Sequence, residues 1–142
     1  MQSAVTLEEV QALFERDLPF CREMNISPEH VDVDLGVTRF RYEERWTRPG
    51  GYINGGTLMT LADVAVFVAI FSRTGIIPLA VTNELKMNFL RPAVGRDVLA
   101  EARLHKPGKR VAFASVEVYM EGDRDRLVAH ATCSYVLPDG PR

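Results

Sequence analysis

At 142 residues the chain is long enough for one domain with a substantial buried core and short for two of ordinary size. With 46% hydrophobic and 25% charged residues it has the balance of a globular protein, and a formal net charge of −2 gives none of the basic footprint that nucleic-acid binding needs. Cys21 and Cys133 fit neither a disulfide framework nor a metal-ligand spacing, and the opening MQSAVTLEEV has no basic segment leading into an apolar one; a cytoplasmic protein without a secretory leader is expected.

Thr6 and Glu9 have capping-box spacing, and Leu7, Val10, Leu13, Phe14 and Leu18 recur at helical intervals up to Pro19. Residues 1–27 therefore read as a helical extension whose short amphipathic helix covers a sheet or pocket edge. Past Pro28 the period changes to two, through Val31, Val33, Leu35 and Val37 and then Phe40, Tyr42 and Trp46. This predicts two half-buried strands or one bent strand, with Gly36 a candidate bulge.

Between Tyr52 and Ser72 there is one charge, Asp63, set among leucine, alanine, valine, phenylalanine and isoleucine. From Thr57 onward apolar side chains occupy every angular position, which describes a helix buried all round. Its apolar part, interrupted by Thr60 and Asp63, is read as too short for a bilayer, so no membrane span is expected and a sheet is the predicted wrapper. Asn54 is a good N-cap, and Gly55 and Gly56 would open the helix with unshielded N–H groups. Those donors suit a carbonyl oxygen gaining negative charge, or the glycine pair serves close backbone packing. Asp63 is either functional or a buried carboxylate bonded to a hydroxyl such as Thr60 or Thr82.

After Gly75 and Pro78 the alternation resumes through Leu79, Val81, Leu85, Met87 and Phe89 and ends at Arg91-Pro92. Val98 to Lys106 is a predicted strand, Lys106-Pro107-Gly108-Lys109 a tight connection, and Arg110 to Glu121 a strand apolar on both faces, as a central strand would be. Leu127 to Leu137 is the last strand, and residues 138–142 read as a frayed tail. The plan is a single α+β domain over 1–142: a curled antiparallel sheet of about six strands round one long buried helix, plus the N-terminal helix.

That plan, with N-G-G-T-L-M-T-L-A-D-V-A at Asn54 to Ala65, resembles the hotdog fold and within it the PaaI-like acyl-CoA thioesterases. The likeness extends through V-T-N-E-L-K-M-N-F-L-R-P-A at Val81 to Ala93 and the K-P-G-K-R hairpin, covering most of the chain beyond about residue 30. The resemblance implies that the Gly55 N–H polarises the thioester carbonyl and that Asp63 acts as nucleophile or as general base toward water. It implies that Thr82 helps to hold the water or the carboxylate, and that Gly51 and Gly56 are structural glycines, Gly56 at the substrate site. Arg48 and Asn54 stand where the family usually has asparagine and histidine. Asn54 can cap the helix and donate to an oxygen but cannot take a proton near neutral pH, and Arg48 can pair with a phosphate or carboxylate.

Coenzyme A carries phosphates, and Arg91, Lys106, Lys109 and Arg110, with Arg48, are the candidate cations for it. No cofactor is implied. No metal site is expected, because His30, His105 and His130 are scattered, and no G-x-S-x-G motif marks a serine nucleophile. The expected function is hydrolysis of an acyl-CoA thioester; the alternative is a non-catalytic hotdog protein that binds acyl-CoA or an acyl-carrier protein. Gly55 and Asp63 are about 12 Å apart along a straight helix, too far to touch one carbonyl together. A homo-oligomer is therefore expected, a dimer or a dimer of dimers (a homotetramer), with each active site shared by two antiparallel helices, as the resemblance also implies.

Overall fold

The computed structural model describes residues 1–139. Helix α1 spans Leu7–Asp17 and starts with the capping box: Thr6 Oγ1 accepts from Glu9 N (3.2 Å) and Glu9 Oε2 from Thr6 N (2.9 Å). It stops before Pro19, and that proline opens a second short helix, α2 (Pro19–Glu23), which periodicity did not reveal because only one turn of it follows. Strands β1 (Ile26–Asp32) and β2 (Leu35–Phe40) form a hairpin turning at Val33 and Asp34: there are two strands, but the break falls inside the alternating run from Val31 to Val37, and Val33 lies outside both. Asp34 takes φ +64° there, and Arg73 clamps its carboxylate at 2.6 Å.

Tyr42 and Trp46 are not strand residues. A 3₁₀ turn at Glu44–Trp46 leads into a small hairpin of β3 (Thr47–Arg48) and β4 (Tyr52–Ile53), where Gly50 and Gly51 supply the positive φ angles that the turn needs. Helix α3 (Gly55–Thr74) follows, then β5 (Val81–Phe89), β6 (Val98–Lys106), β7 (Val111–Met120) and β8 (Leu127–Val136).

The six long strands make one antiparallel sheet in the order β1-β2-β6-β7-β8-β5, with α3 packed along its concave face. Leu61, Ala62, Ala65, Val66, Val68, Ala69 and Phe71 have no exposed surface, and they meet Phe40, Val98, Ala100, Val116 and Val118 of the sheet. By length and composition α3 is sufficient to cross a membrane, with a mean hydropathy of 1.7. The expectation that it is too short is corrected; what accounts for its apolar surface is the sheet around it.

Gly36 is not a bulge. It sits in regular register between Val31 and Ala102, and a Cβ there would lie 2.5 Å from both Ala65 O and Ala69 N. The missing side chain is what lets α3 approach β2. The irregularity in β1 lies between Pro28 and His30, where proline cannot donate to the ladder. Strand β7 is central as expected, yet it is buried on one face only: Val111 and Phe113 remain exposed on the other. Of the tail expected to fray, residues 140–142 lie outside the described residues, while Asp139 forms an ion pair with Arg110 (2.8 Å).

Candidate active site

Asn54 caps α3. Its Oδ1 accepts from Thr57 N (2.9 Å), and its amide nitrogen donates to Trp46 O (2.9 Å) and Thr57 Oγ1 (2.8 Å). Both donors of the amide are thus used inside the chain, tying the 3₁₀ turn to the helix start. The N–H groups of Gly55 and Gly56 are left pointing out of the first turn without an acceptor among the described residues, at the positive end of the helix dipole. Gly55, but not Gly56, lines a cavity of about 420 Å³ walled by Arg48, Tyr52, Leu58, Phe89, Leu90 and Arg91. The Phe89 ring packs over Gly55, where an added Cβ would stand 3.2 Å from it.

Two turns further along α3, the half-buried Asp63 opens into a different cavity, of about 260 Å³, lined by Leu18, Phe20, Phe67, Val81, Thr82 and Tyr135. Its Oδ1 accepts from Thr82 Oγ1 (2.7 Å) and from Tyr135 OH (2.9 Å), which also reaches the Asp63 main-chain oxygen (3.0 Å). Oδ2 has no partner among the described residues and is left for water or substrate. Thr60, the other hydroxyl considered, bonds back to Gly56 O instead. The corner between α1 and α2 supplies Leu18 and Phe20, so the N-terminal extension does cover the pocket edge.

Strand geometry explains how Thr82 arrives there. Leu85 and Met87 pack on the core, and by strict alternation residue 82 would face the opposite side. The β5–β8 register slips between Thr82 and Glu84, placing Asn83 in a bulge and turning Thr82 inward beside its cross-strand partner Tyr135.

Burial and the Asp63 charge push the Tyr135 hydroxyl well above its ordinary range, so it stays protonated and donates. The same two causes push the buried thiols of Cys21 and Cys133 up to about 12, which removes both as nucleophiles near neutral pH. Tyr135 and the bulge at Asn83 were missed from sequence; the only signal was a tyrosine among small side chains in the last strand.

The structure therefore brings Asp63 and Thr82 together, and separately Gly55 with Arg48 and Arg91. It does not bring Asp63 to Gly55 within one chain. Gly56 is exposed at the helix start, beside the cap. Lys106, Lys109 and Arg110 lie at the end of the sheet where β5 begins, in neither cavity, and Arg110 is held by Asp139. Among the described residues no group of histidine, cysteine and carboxylate side chains could hold a metal ion.

A curled antiparallel sheet closed round one buried helix, with the carboxylate on that helix and free amides at its start, is the hotdog architecture. The chain belongs to the thioesterase superfamily, whose profile matches residues 50–127, from the glycine turn before α3 through β7. A Pseudomonas aeruginosa protein provisionally named an esterase is 38% identical over 72% of this chain and 75% of its own. Acyl-coenzyme A thioesterase 13 of Mus musculus is 28% identical over 74% of this chain and 71% of its own. Among solved structures, a provisionally assigned thioesterase from a Silicibacter species superposes with a TM-score of 0.87 at 30% identity, covering 98% of this chain and 96% of that one. A variant of the phenylacetic acid degradation protein PaaI from Thermus thermophilus gives 0.73 at 28% identity, over 84% of this chain and 99% of that one.

Proposed function

We propose that the protein hydrolyses acyl-CoA thioesters at a site assembled from two subunits, Asp63 coming from one and the Gly55 N–H from the other. The observation that carries this reading is the Asp63 carboxylate. It is half-buried in an apolar helix and held through one oxygen by two hydroxyls, with its second oxygen open to a cavity and no cation among the described residues to neutralise it. A carboxylate so placed is costly unless it is used. The similarity to a named acyl-CoA thioesterase supports the substrate class.

In the reaction, Asp63 Oδ2 takes a proton from water while the water oxygen bonds to the thioester carbon. Charge gathers on the carbonyl oxygen, which the Gly55 N–H of the partner subunit stabilises; the C–S bond then breaks and the thiolate leaves as free thiol once protonated. Alternatively Asp63 attacks directly, and water hydrolyses the resulting anhydride. In both routes Thr82 and Tyr135 keep the carboxylate aimed. The protein works in the cytoplasm under this reading, as one domain.

The test is release of free thiol from a panel of acyl-CoAs, followed with a chromogenic disulfide; the buried, protonated Cys21 and Cys133 give little background. Asp63→Asn keeps the volume and is expected to lose about a hundredfold or more in kcat with the fold intact by circular dichroism. Turnover near that of the unaltered protein would refute the role of Asp63. Tight acyl-CoA binding with no thiol release from the unaltered protein would instead favour a non-catalytic binder.

A further inference from the structure

Leu18 and Phe20 bring the N-terminal extension to the Asp63 cavity, but the same two helices also wall a separate cleft of about 370 Å³ against the start of β1 and Arg41. It shares no residue with the Gly55 or Asp63 cavity, and its size falls within the range of small-molecule sites, about 300–1,000 Å³. Its apolar lining is Phe14, Ile26 and Pro28, all buried. Its polar lining is largely unspent. Among the described residues the side chains of Gln11, Ser27 and Arg41 have no partner, and Arg22 meets Glu15 only at 3.9 Å, with both side chains mostly exposed. An ion pair so long and so wet contributes little. Elsewhere Arg39, Arg45, Arg73, Arg110 and Arg124 each hold a carboxylate within 3.1 Å.

The cleft exists because of Asn25. That residue takes φ +58°, a conformation asparagine tolerates better than most side chains, and it reverses the chain from the end of α2 into β1. Asn25 N donates to Arg22 O (3.1 Å), Arg41 N to Asn25 O (3.0 Å), and the Asn25 side-chain amide to Arg41 O (3.4 Å) and to the Glu43 carboxylate. Arg45 Nη2 adds a bond to Glu23 O (2.7 Å). The backbones that carry Arg22 and Arg41 are thereby held to each other, while both guanidiniums keep their donor forks for a ligand. Helix α2 has five residues, with Phe20 on the Asp63 cavity, Arg22 on the cleft and Cys21 fully buried between them. A ligand that fixes Arg22 therefore also steadies the Phe20 wall.

We propose that this cleft is a second ligand site, for a small carboxylate with an apolar tail, and that its occupancy alters substrate binding in the Asp63 cavity through α2. Arg22 and Arg41 hold the head, and the tail lies on Phe14, Ile26 and Pro28. Two guanidiniums suit a single carboxylate head. Glu15, the one carboxylate of the lining among the described residues, opposes the double charge of a phosphate monoester. The effect on substrate binding rests on the thioesterase reading, in which the released acid is itself a compound of this class; the binding does not.

Octanoate is the probe, titrated calorimetrically into the unaltered protein, into Arg22→Gln/Arg41→Gln and into Asp63→Asn, with folds checked by circular dichroism. Thiol release from an acyl-CoA is followed with and without it. Octanoate is expected to bind the arginine variant about tenfold or more weakly, and to bind Asp63→Asn as it binds the unaltered protein. Octan-1-ol, with the same tail and no charge, is expected to bind the unaltered protein about tenfold or more weakly than octanoate does. Saturating octanoate is expected to change KM about fivefold in the unaltered protein and not in the arginine variant. Octanoate binding that is absent, or unchanged in the arginine variant, would overturn the site, and binding that tightens in Asp63→Asn would put the acid beside Asp63 instead. Displacement by equimolar inorganic phosphate would reduce the cleft to a general anion site and also overturn the proposal. An unmoved KM would overturn the link through α2. Arginine-dependent binding to a protein that releases no thiol would refute the proposed reaction and leave the site standing.

Discussion

Asp63 shows how little of a site one residue can specify by itself. Its isolation in an apolar helix marks it in the sequence, but what orients it is Tyr135, which lies in the last strand and reaches it at 2.9 Å. Tyr135→Phe removes that donor and the contact to the Asp63 carbonyl while filling the same volume. Thr82 still holds Oδ1, so we expect about a tenfold loss in kcat and about 1 kcal/mol of stability, read from thiol release and a denaturant midpoint. An unchanged kcat would mean that Thr82 suffices to aim the carboxylate. Asp63 and the capping role of Asn54 could be read from sequence because each depends on near neighbours: an apolar run around one, a helix start after the other. Tyr135 could not, since its meeting with Asp63 depends on register between strands far apart in the chain. The side-chain amide of Asn54 was open to a substrate role in sequence; the structure spends it on Trp46 and Thr57.

At the level of elements, periodicity located the helix at Leu7, while the all-round apolar run located the buried helix after Asn54 and the flanking turns marked off the strand from Val98 to Lys106. It failed where the pattern and the backbone part company. Val33 continues the alternation and yet sits in a turn, and the bulge at Asn83 reverses which face of β5 looks inward. Gly36 is visible as a glycine in a strand, but its purpose lies in a contact with Ala65 and Ala69, in the middle of the helix that follows. That contact is testable. An alanine there would ordinarily gain about 0.4–1 kcal/mol by restricting the unfolded chain. Here its Cβ would meet backbone atoms of Ala65 and Ala69 at 2.5 Å, and neither can yield without moving α3 off the sheet. The steric term wins, and Gly36→Ala is expected to destabilise by about 2–3 kcal/mol or more in chemical denaturation. A neutral outcome would mean that α3 and β2 pack less closely than their geometry indicates.

For the whole molecule, the proposed shared site requires two cavities at opposite ends of one edge strand to meet. Strand β5 is that edge: it pairs with β8 on one side and leaves its other side open, with Val81 and Phe89 58% and 53% exposed. A long edge strand presents a row of unpaired backbone groups and is a template for pairing. Two β5 strands set antiparallel about a two-fold axis near Leu85 would bring Val81 of one opposite Phe89 of the other. Thr82 and Asp63 lie near the first of these residues, and Gly55 lies under the second. Such a pairing closes the gap of about 12 Å that keeps the two groups apart within a chain. Asp63→Asn and Gly55→Val should each be inactive alone. After the two are unfolded and refolded together in equal amounts, half of the dimers are mixed, and each mixed dimer has one site with both lesions and one with neither. Thiol release should return to about a quarter of that of the unaltered protein if chains pair at random and sites act independently. Activity that stays at the level of the separate variants, with mixed dimers demonstrated by mass spectrometry, would mean that each chain completes its own site, and the antiparallel pairing of β5 would have to be abandoned as the route to catalysis.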